Sequence, residues 1–461
     1  IIAYSDNYTQ GNYYLASVAD KVFLNPQGMI DWHGIGAQPM FVKDLLKKVG
    51  IQYQVVKVGK YKSATEMYIA DKMSDPSREQ TQAYIDGIWS DVLKAVSDSR
   101  KINVDQLNQY ADSLITFSNP KDYVDAKLVD GLLYTNQVKA EVKKIFGLDK
   151  DDPVNQVGVT DMRSVKEETE GKQVAVYYAY GSIVDNPVTG SMFGAEHMIV
   201  GSEVCKDLEA LAEDDDVKAV VLRINSGGGS AYASEQMWNQ VEQLKKKKPV
   251  VVSMGDMAAS GGYYMGCNAN WIVAQPTTLT GSIGIFAMIP DMSQLLTQKL
   301  GIKFDEMKTN KNSTFGSSAR PLNEEEIGYL ARYIDRGYAL FRQRVADGRK
   351  LSVNQVEAIA QGHVFVGRDA LKIKLVDELG GLEKAVAKAA KLAKLDEFYT
   401  QDYPAKASWM DQLTGAMSGG NYLDEQLRAT LGEYYEPFML LKTMNQQNMI
   451  QARIPFYLNI R

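Results

Sequence analysis

Residues 1–37 read IIAYSDNYTQGNYYLASVADKVFLNPQGMIDWHGIGA, and residues 251–287 read VVSMGDMAASGGYYMGCNANWIVAQPTTLTGSIGIFA. The two stretches align without a gap at a constant offset of 250 (251 minus 1). The alignment pairs Asp6 with Asp256, Gly11 with Gly261, Tyr13-Tyr14 with Tyr263-Tyr264, Pro26 with Pro276 and Gly34 with Gly284. Such self-similarity indicates a duplicated structural unit. The chain therefore contains a tandem repeat.

The correspondence continues beyond these stretches, for example from Lys127–Asp130 to Lys374–Asp377. The segment between the copies is polar and charged, as linkers are. The repeat predicts an N-terminal copy at 1–150, a linker at 151–171, a C-terminal copy at 172–400 and a partly helical tail at 401–461.

The second copy is longer at its start than the first. Its 78 residues from Gln173 to Val251 (251 minus 173) have no counterpart before Ile1. We therefore expect that a comparable stretch precedes Ile1 in the natural protein.

Composition narrows the functional class. The chain has 461 residues, enough for two domains, with 45% hydrophobic and 23% charged residues, which is ordinary for a soluble globular protein. A net charge of -6 argues against nucleic acid as a partner, since phosphate binding needs a concentrated basic surface. No apolar run reaches the roughly 18 residues that cross a bilayer.

Cysteine and histidine usage predicts neither a metal nor a cofactor. The two cysteines are too few for a zinc cluster and make a disulfide framework improbable, and the three histidines have no metal-ligand spacing. These residues are Cys205, Cys267, His33, His197 and His363.

Short β-rich runs alternate with longer helical runs, which predicts an α/β fold. The predicted strands are Val174–Tyr178, Ala219–Ile224, Val250–Ser253, Trp271–Ala274 and Ser282–Phe286. The predicted helices are Glu235–Lys246 and Asn323–Arg349.

A glycine-rich segment follows a predicted buried strand. Asn225–Ser230 reads NSGGGS, and its three glycines would let a ligand approach backbone N–H groups closely. Such a segment serves as a phosphate cradle, as an oxyanion hole or as a simple tight turn. A dinucleotide site is disfavoured, because no G-x-G-x-x-G pattern opens the next helix.

A second segment, Met257–Tyr264, reads MAASGGYY between a strand and a predicted helix. Ser260 is flanked by residues too small to block access to its hydroxyl. The N–H of Gly261 would be a natural oxyanion donor, as at other strand–turn–helix nucleophiles. The alternative is that the small residues only permit close packing.

The repeat favours the catalytic interpretation. The position that matches Ser260 in the first copy is Gln10, which cannot act as a nucleophile. Conversely, Lys62 has its counterpart near Asn312 or Ser313, which cannot act as a base. A single site shared between the copies would leave this pattern. A neutral, buried lysine can replace histidine as base, although most lysines only solvate a surface.

These residues resemble the long form of the signal peptide peptidase A family (protease IV) over nearly the whole chain. The matching motifs are Asn225–Ser230, Ala258–Tyr263, Thr280–Gly284 and Tyr61–Ala64. One departure is Gly227, where the family usually has proline.

The resemblance implies a crotonase/Clp-protease-like fold of ββα units and a serine peptidase with a Ser–Lys dyad. It assigns Ser260 as nucleophile, Lys62 as base and Ser282 as the residue that orients the lysine. Oxyanion amides map to Gly261 and to Gly228 and Gly229.

The resemblance also implies partners and a location. Family members form a homotetramer on the periplasmic side of the bacterial inner membrane and degrade released signal peptides. Their membrane anchor is an N-terminal segment absent from this chain. No nucleic acid and no cofactor are implied.

Two other functions compete with the peptidase. Acyl-CoA hydratases and isomerases share the fold and use paired oxyanion amides, commonly with a glutamate acid/base and without Ser260 or Lys62. An inactive scaffold of a membrane protease complex is the third possibility.

Overall fold

The computed structural model describes residues 1–162, 165, 169–186, 197–404 and 450–453. The chain divides into two compact units. Counting only the described residues, the first unit consists of those within Ile1–Ala37 and Ile85–Glu168. The second unit consists of those within Gln38–Tyr84 and Thr169–Asn459. Residues 38–84 belong to the first copy by sequence and to the second unit by structure.

The strands are β1 (Ile2–Ser5), β2 (Lys21–Leu24), β3 (Gln52–Lys57), β4 (Gly131–Leu132), β5 (Lys172–Tyr180), β6 (Ser182–Val184), β7 (Met198–Val200), β8 (Val217–Ser226), β9 (Gly228–Ser230), β10 (Val250–Ala259), β11 (Trp271–Ala274), β12 (Leu279–Gly281), β13 (Phe286–Asp291), β14 (Val364–Val366), β15 (Glu378–Leu379), β16 (Phe398–Tyr403) and β17 (Ile450–Arg453).

The α-helices are α1 (Gln10–Ala16), α2 (Lys43–Val49), α3 (Glu66–Ile69), α4 (Asp75–Arg100), α5 (Val104–Asp112), α6 (Pro120–Asp125), α7 (Thr135–Phe146), α8 (Val159–Met162), α9 (Gly201–Glu213), α10 (Ala231–Lys245), α11 (Gly261–Tyr264), α12 (Glu324–Arg349), α13 (Val353–Ile359), α14 (Gly367–Lys372) and α15 (Leu382–Leu392).

The first unit contains a parallel sheet of order β1-β2-β4. Its apolar core includes Tyr13, Trp32 and Tyr123, which are fully buried. The rings of Tyr13 and Trp32 meet edge to face with their centroids 5.7 Å apart, a favoured aromatic geometry.

The second unit is built on a sheet whose main path runs β14-β12-β10-β8-β5-β16, with β11 beside β10 and β15 beside β11. Its central strands β5, β8 and β10 are parallel. The sequence explains this position, because β8 carries the run AVVL (Ala219–Leu222), which is fully buried. Near-continuous apolar runs are typical of parallel strands covered on both faces.

A second sheet in this unit has the order β3-β13-β17-β9-β6-β7. The antiparallel pair β3–β13 joins residues 52–57 to residues 286–291. The pairing therefore fixes a segment of the first sequence copy against the second copy.

Most predicted elements are confirmed with shifted ends. Four predicted strands correspond to β5, β8, β10 and β11, and the two predicted helices to α10 and α12. The predicted strand Ser282–Phe286 is wrong, because only Phe286 is in a strand. Ser282 has a φ of 51°, in the left-handed region that a strand cannot accommodate.

The predicted tail lies largely outside the described residues, at 405–449 and 454–461. Its described part contains two pieces of strand. One is the end of β16, which pairs with β5, and the other is β17. The α/β class is confirmed in both units.

Helix α12 supports the region around Ser260 and Lys62. The Phe341 ring stacks on Tyr264 of α11 with centroids 4.1 Å apart. The Tyr338 hydroxyl accepts a hydrogen bond from the Gln361 N–H at 3.1 Å. The helix thus braces two segments that approach the candidate site described below.

The start of α12 is fixed by buried Glu326. Its carboxylate accepts two hydrogen bonds of 2.7 Å from Arg320 and one of 2.9 Å from the Asn323 N–H, while Asn323 caps the helix. The hydrogen bonds from Arg320 lower the pKa of Glu326 to about 2.

We expect Glu326→Gln to lower the free energy of unfolding by about 2 kcal/mol, because it leaves a charged, hydrogen-bonded network incomplete. Since the folded pKa lies below the unfolded value, this contribution is present above about pH 4.5 and lost as the pH falls toward about 2. Urea denaturation at pH 7 and pH 4 measures it, with exposed Glu324→Gln as control. Equal stability of the two variants at pH 7 would contradict the role of Glu326.

Candidate active site

Ser260 lies at the junction of β10 and α11 in a strained backbone conformation. Its φ is 55° and its ψ is -118°, which non-glycine residues rarely adopt. The Ser260 N–H donates to the Gly281 carbonyl at 2.8 Å, and the end of β10 pairs in parallel with β12. The sheet therefore holds the turn that presents the Ser260 side chain.

Lys62 reaches the same place from the strand β3. Pairing of β3 with β13 sets Lys57 opposite Phe286, and the Val58 N–H continues the ladder by donating to the Ile285 carbonyl at 3.1 Å. The chain then turns at Gly59, whose φ is +99°. Lys62 is fully buried behind this turn.

Three oxygens surround the Lys62 amine. Its Nζ lies 2.7 Å from Ser260 Oγ, 3.0 Å from Ser282 Oγ and 3.2 Å from the Ser282 carbonyl oxygen. Ser260 and Ser282 are both fully buried. The structure thus brings together the three side chains that the sequence singled out.

This set of partners suits a neutral amine. A neutral lysine has two N–H donors and one lone pair, so it can donate twice to Ser282 and accept the Ser260 hydroxyl proton. Burial disfavours the ammonium form and holds the pKa of Lys62 well below its ordinary value. The partners are hydroxyl and carbonyl groups, which do not supply a negative charge to offset that effect.

A loop that the sequence did not single out clamps this lysine. A methyl group added to Gly362 would lie 2.7 Å from both Lys62 Cβ and Lys62 N. The Tyr61 N–H donates to the Gln361 carbonyl at 3.0 Å. On the other side, the Ser282 N–H donates to the His363 carbonyl at 2.6 Å. Residues 361–363 therefore hold the backbones of Lys62 and Ser282 together.

Buried Gln80 joins the same arrangement. Its side chain donates to the Tyr61 carbonyl at 2.9 Å and to Ser63 Oγ at 3.1 Å, and it accepts from the Val364 N–H at 3.1 Å. Sequence reasoning missed Gln80 and Gly362. The only available signal was a glycine between Gln361 and His363, which resembles an ordinary turn.

The predicted oxyanion glycines lie beside Ser260. A methyl group on Gly228 would lie 2.7 Å from the Gly261 N, so these two glycines are close neighbours. The Gly228 N–H donates to Ser226 Oγ at 3.1 Å, and Gly229 packs against the Ile183 backbone of β6. The backbone here approaches so closely that side chains would not fit.

A sequence model of peptidase family S49 matches residues 1–149 and 242–396. The chain belongs to peptidase family S49. The match extends over nearly all of the first copy and over residues 242–396 of the second, and its two ranges include Lys62, Ser260 and Ser282.

Relatives with curated names agree with the S49 assignment. "Protease 4" of Salmonella typhi is 36% identical over 98% of this chain and 72% of its own length. "Serine protease SPPA, chloroplastic" of Arabidopsis thaliana is 33% identical over 83% of this chain and 57% of its own. "Putative signal peptide peptidase SppA" of Enterococcus faecium is 32% identical over 42% of this chain and 57% of its own. The aligned regions cover 57% of the length of each of the last two relatives.

The predicted enzyme class and fold class are therefore confirmed: the chain is a serine peptidase of family S49. A Clp protease sequence model also matches residues 194–277, in agreement with the Clp-protease-like α/β fold. This range contains the glycine segment at 225–230 and Ser260.

The first unit of this S49 peptidase carries different residues at the equivalent positions. Gln10 replaces the serine, and its side chain accepts from the His33 and Gly34 N–H groups at 3.1 and 3.0 Å and donates to the Gly34 carbonyl at 3.0 Å. The offset of 250 places Trp32 opposite Ser282, and Trp32 is fully buried in the core. The equivalent positions of the first unit are thus occupied by a hydrogen-bonded glutamine and a buried tryptophan.

Among the described residues, no group of His, Cys, Asp and Glu side chains is placed so that it could hold a metal ion. None of the described helices is long and apolar enough to cross a membrane. His363 stacks on Tyr61 with centroids 4.1 Å apart, and burial lowers its pKa. Cys205 and Cys267 are free thiols. His33 Nε2 lies 3.4 Å from Asp31 Oδ1. The His197 ring packs against the Tyr180 ring.

The lowered pKa of Lys62 predicts a specific pH dependence of stability. At pH values between the lowered pKa of Lys62 in the folded state and the ordinary lysine pKa, the unfolded state binds more protons at this position than the folded state does. The free energy of unfolding therefore rises with pH in this range. We expect the wild type to gain stability relative to Lys62→Met as the pH rises from 7 toward about 10, by at most about 1.4 kcal/mol per pH unit.

Urea denaturation of both proteins at pH 7, 8 and 9 measures this difference. The matched control is Lys391→Met at an exposed position of α15, which should show no such trend. Parallel pH profiles for wild type and Lys62→Met would mean that Lys62 keeps an ordinary pKa.

Proposed function

We propose that this S49 peptidase cleaves peptide bonds with Ser260 as nucleophile and Lys62 as general base. The observation that carries the proposal is the 2.7 Å contact between a fully buried amine and the hydroxyl of a serine on a strained turn. A nucleophile and a base within hydrogen-bond reach, with a third group orienting the base, are the parts that covalent catalysis requires.

In the proposed reaction, the neutral Lys62 amine takes the Ser260 hydroxyl proton while Ser260 Oγ attacks the carbonyl carbon of the substrate. The resulting ammonium then gives the proton to the leaving amine, and an acyl-enzyme ester remains on Ser260. Water activated by Lys62 hydrolyses the ester and restores the serine. The same base thus serves both halves of the reaction.

Ser282 is the proposed positioning residue. Its hydroxyl and its carbonyl lie 3.0 and 3.2 Å from Lys62 Nζ, which suits them to accept the two amine protons. The lone pair is then directed at Ser260. Because Ser282 is held in turn by the His363 carbonyl, the amine has little freedom to rotate away.

The oxyanion would be stabilised by the Gly261 N–H together with the loop at Gly228 and Gly229. Gly261 directly follows the nucleophile, as in other strand–turn–helix sites. The Gly228 N–H already donates to Ser226, so we assign Gly228 the task of bringing the loop close to Gly261. Loss of one such donor costs about 3–4 kcal/mol in other enzymes.

We propose released signal peptides and other apolar peptides as substrates, at the periplasmic face of the bacterial inner membrane. Support comes from the family resemblance and from the relative named "Putative signal peptide peptidase SppA". The same resemblance supports a homotetramer and an N-terminal membrane anchor. Acyl-CoA chemistry is the competing use of such a fold, but it requires neither Ser260 nor Lys62.

Ser260→Ala and Lys62→Met should each lower kcat on a quenched apolar peptide by about 10³-fold or more, because each removes a member of one catalytic unit. A fluorophosphonate probe should label the wild type and leave Ser260→Ala unlabelled. The control is Ser318→Ala at an exposed position, which should keep wild-type activity. Full activity of Lys62→Met would show that Lys62 is not the general base. Turnover by Ser260→Ala would direct the search to acyl-CoA substrates.

The pH profile tests the role of Lys62 separately. Since the neutral amine is the active form, kcat/KM should fall as the pH drops through the lowered pKa of Lys62 and be highest at neutral to alkaline pH. Ser282→Ala should lower kcat by about 10- to 100-fold with little change in KM, since it loosens the base without touching the substrate. An acidic optimum would exclude a lysine base.

A further inference from the structure

A second lysine holds the backbone of Lys62. Lys57 is the last residue of β3, and its Nζ donates a hydrogen bond to the Lys62 carbonyl oxygen at 3.2 Å. The same Nζ lies 3.9 Å from Glu66 Oε1, so this ammonium group bridges the carbonyl of the candidate base and a carboxylate. The Lys57 side chain is 30% exposed, whereas that of Glu66 is only 9% exposed. A carboxylate this buried needs charged or hydrogen-bonding partners, which fix where it can lie.

Two groups of Ser74 fix the Glu66 carboxylate. The Ser74 hydroxyl donates to Glu66 Oε1 at 2.6 Å, and the Ser74 N–H donates to Glu66 Oε2 at 3.0 Å. The Glu66 N–H in turn donates to the Ser63 carbonyl at 2.9 Å, at the start of α3. Hydrogen bonds to an ionised group are about twice as strong as those between neutral groups. The carboxylate is therefore a well-fixed partner for the Lys57 ammonium.

The backbone around Lys62 is irregular. Residues 58–65 form neither a helix nor a strand. The Lys62 N–H donates to the Gly59 carbonyl at 3.3 Å, which is a long hydrogen bond. The hydrogen bond from Lys57 to the Lys62 carbonyl therefore adds a charged contact where the main chain has no regular ladder to hold it.

The second copy of the repeat has the same lysine without this carboxylate. Three positions of the segment have counterparts at an offset of 251 (301 minus 50, 308 minus 57 and 317 minus 66): Gly50 and Gly301, Lys57 and Lys308, Glu66 and Ser317. Lys308 pairs instead with Glu306 at 2.6 Å. That copy also lacks the lysine base. The buried carboxylate therefore occurs in the copy that carries Lys62.

We propose that Lys57, held by Glu66, is a positioning residue that directs the Lys62 amine at Ser260. The proposal rests on the proposed function, because it gives Lys57 a task in the step in which Lys62 takes the Ser260 proton. By holding the Lys62 carbonyl, the ammonium sets the direction in which the lysine side chain leaves the main chain. Catalytic groups must be held within about 0.5 Å and 10–20° of their productive geometry.

Lys57 acts at a different point from the clamp described above. Gln361 and Gln80 form hydrogen bonds with the two residues that flank Lys62 in sequence. Lys57 contacts the carbonyl of Lys62 itself. Loss of Lys57 should therefore leave the segment folded and loosen the base, which allows positioning to be measured separately from stability.

Lys57→Met should lower kcat on the quenched apolar peptide by about 10- to 100-fold with little change in KM, because a displacement of about 1 Å costs up to about 10²-fold in rate. Labelling of Ser260 by the fluorophosphonate probe should slow by a similar factor, since it needs the same proton transfer. Both rates are expressed per labelled active site, so that a smaller folded fraction does not count as a lower rate. Urea denaturation of the same samples measures stability.

Lys57→Arg keeps the charge and the donor, so it should restore most of kcat. Glu66→Gln removes the charge that holds Lys57 and should give a kcat between those of wild type and Lys57→Met. The matched control is Lys43→Met, which removes another ion-paired lysine of the same segment. Lys43 Nζ lies 3.0 Å from Asp71 Oδ2 at the surface, and the variant should keep the wild-type kcat and labelling rate.

The results separate this inference from the proposed function. If the wild type turns over the peptide and is labelled at Ser260, while Lys57→Met keeps the wild-type kcat per labelled site, Lys57 has no positioning role and the proposed function stands. An equal loss of kcat in Lys57→Arg and Lys57→Met would also contradict the inference, because the charged donor would then not matter. If the wild type shows neither turnover nor labelling, the proposed function itself fails.

Discussion

Burial of the Lys62 amine is the constraint around which the second unit is organised. Removing an ammonium group from water is costly, so burial lowers the pKa of the Lys62 amine and favours its neutral form. A neutral amine still needs partners, and Ser260 and Ser282 provide them at 2.7 to 3.2 Å. The antiparallel pairing of β3 with β13 and the loop at 361–363 keep the lysine in place. In the proposed mechanism, the same burial prepares it to act as a base near neutral pH.

The two serines beside the amine share an unusual feature. Ser260 and Ser282 both have positive φ, at 55° and 51°. Residues held in such conformations cost about 1–3 kcal/mol each and persist only where the surroundings fix them. Here the Gly281 carbonyl holds the Ser260 N–H, and the His363 carbonyl holds the Ser282 N–H. The strain turns both hydroxyls toward one buried nitrogen, which regular strand geometry would not do.

The two units carry different residues at the positions that the duplication makes equivalent. In the first unit, Gln10 and Trp32 fill the equivalent positions with hydrogen bonds and packing, so the fold is kept without the nucleophile. In the second, the glycines at 228, 229 and 261 let neighbouring backbone approach closely beside Ser260, and β17 pairs with β9, which contains Gly228 and Gly229. A strand edge that pairs with an extended segment is also the kind of edge that binds peptides by strand addition.

The sequence by itself determined the repeat, the α/β class, most strands and helices of the second copy, and the identity of Ser260, Lys62 and Ser282 as candidates. These signals are local or depend on comparing two stretches of one chain, so they need no coordinates. Tertiary structure alone decided that residues 38–84 join the second unit, that Gly362 and Gln80 clamp Lys62, and that β17 lies beside the glycines. It also overturned the strand at 282–286, because the φ of Ser282 is set by its contacts rather than by its neighbours in sequence. Lys62 and Ser260 are 198 residues apart, and only the pairing of distant strands brings such groups into contact.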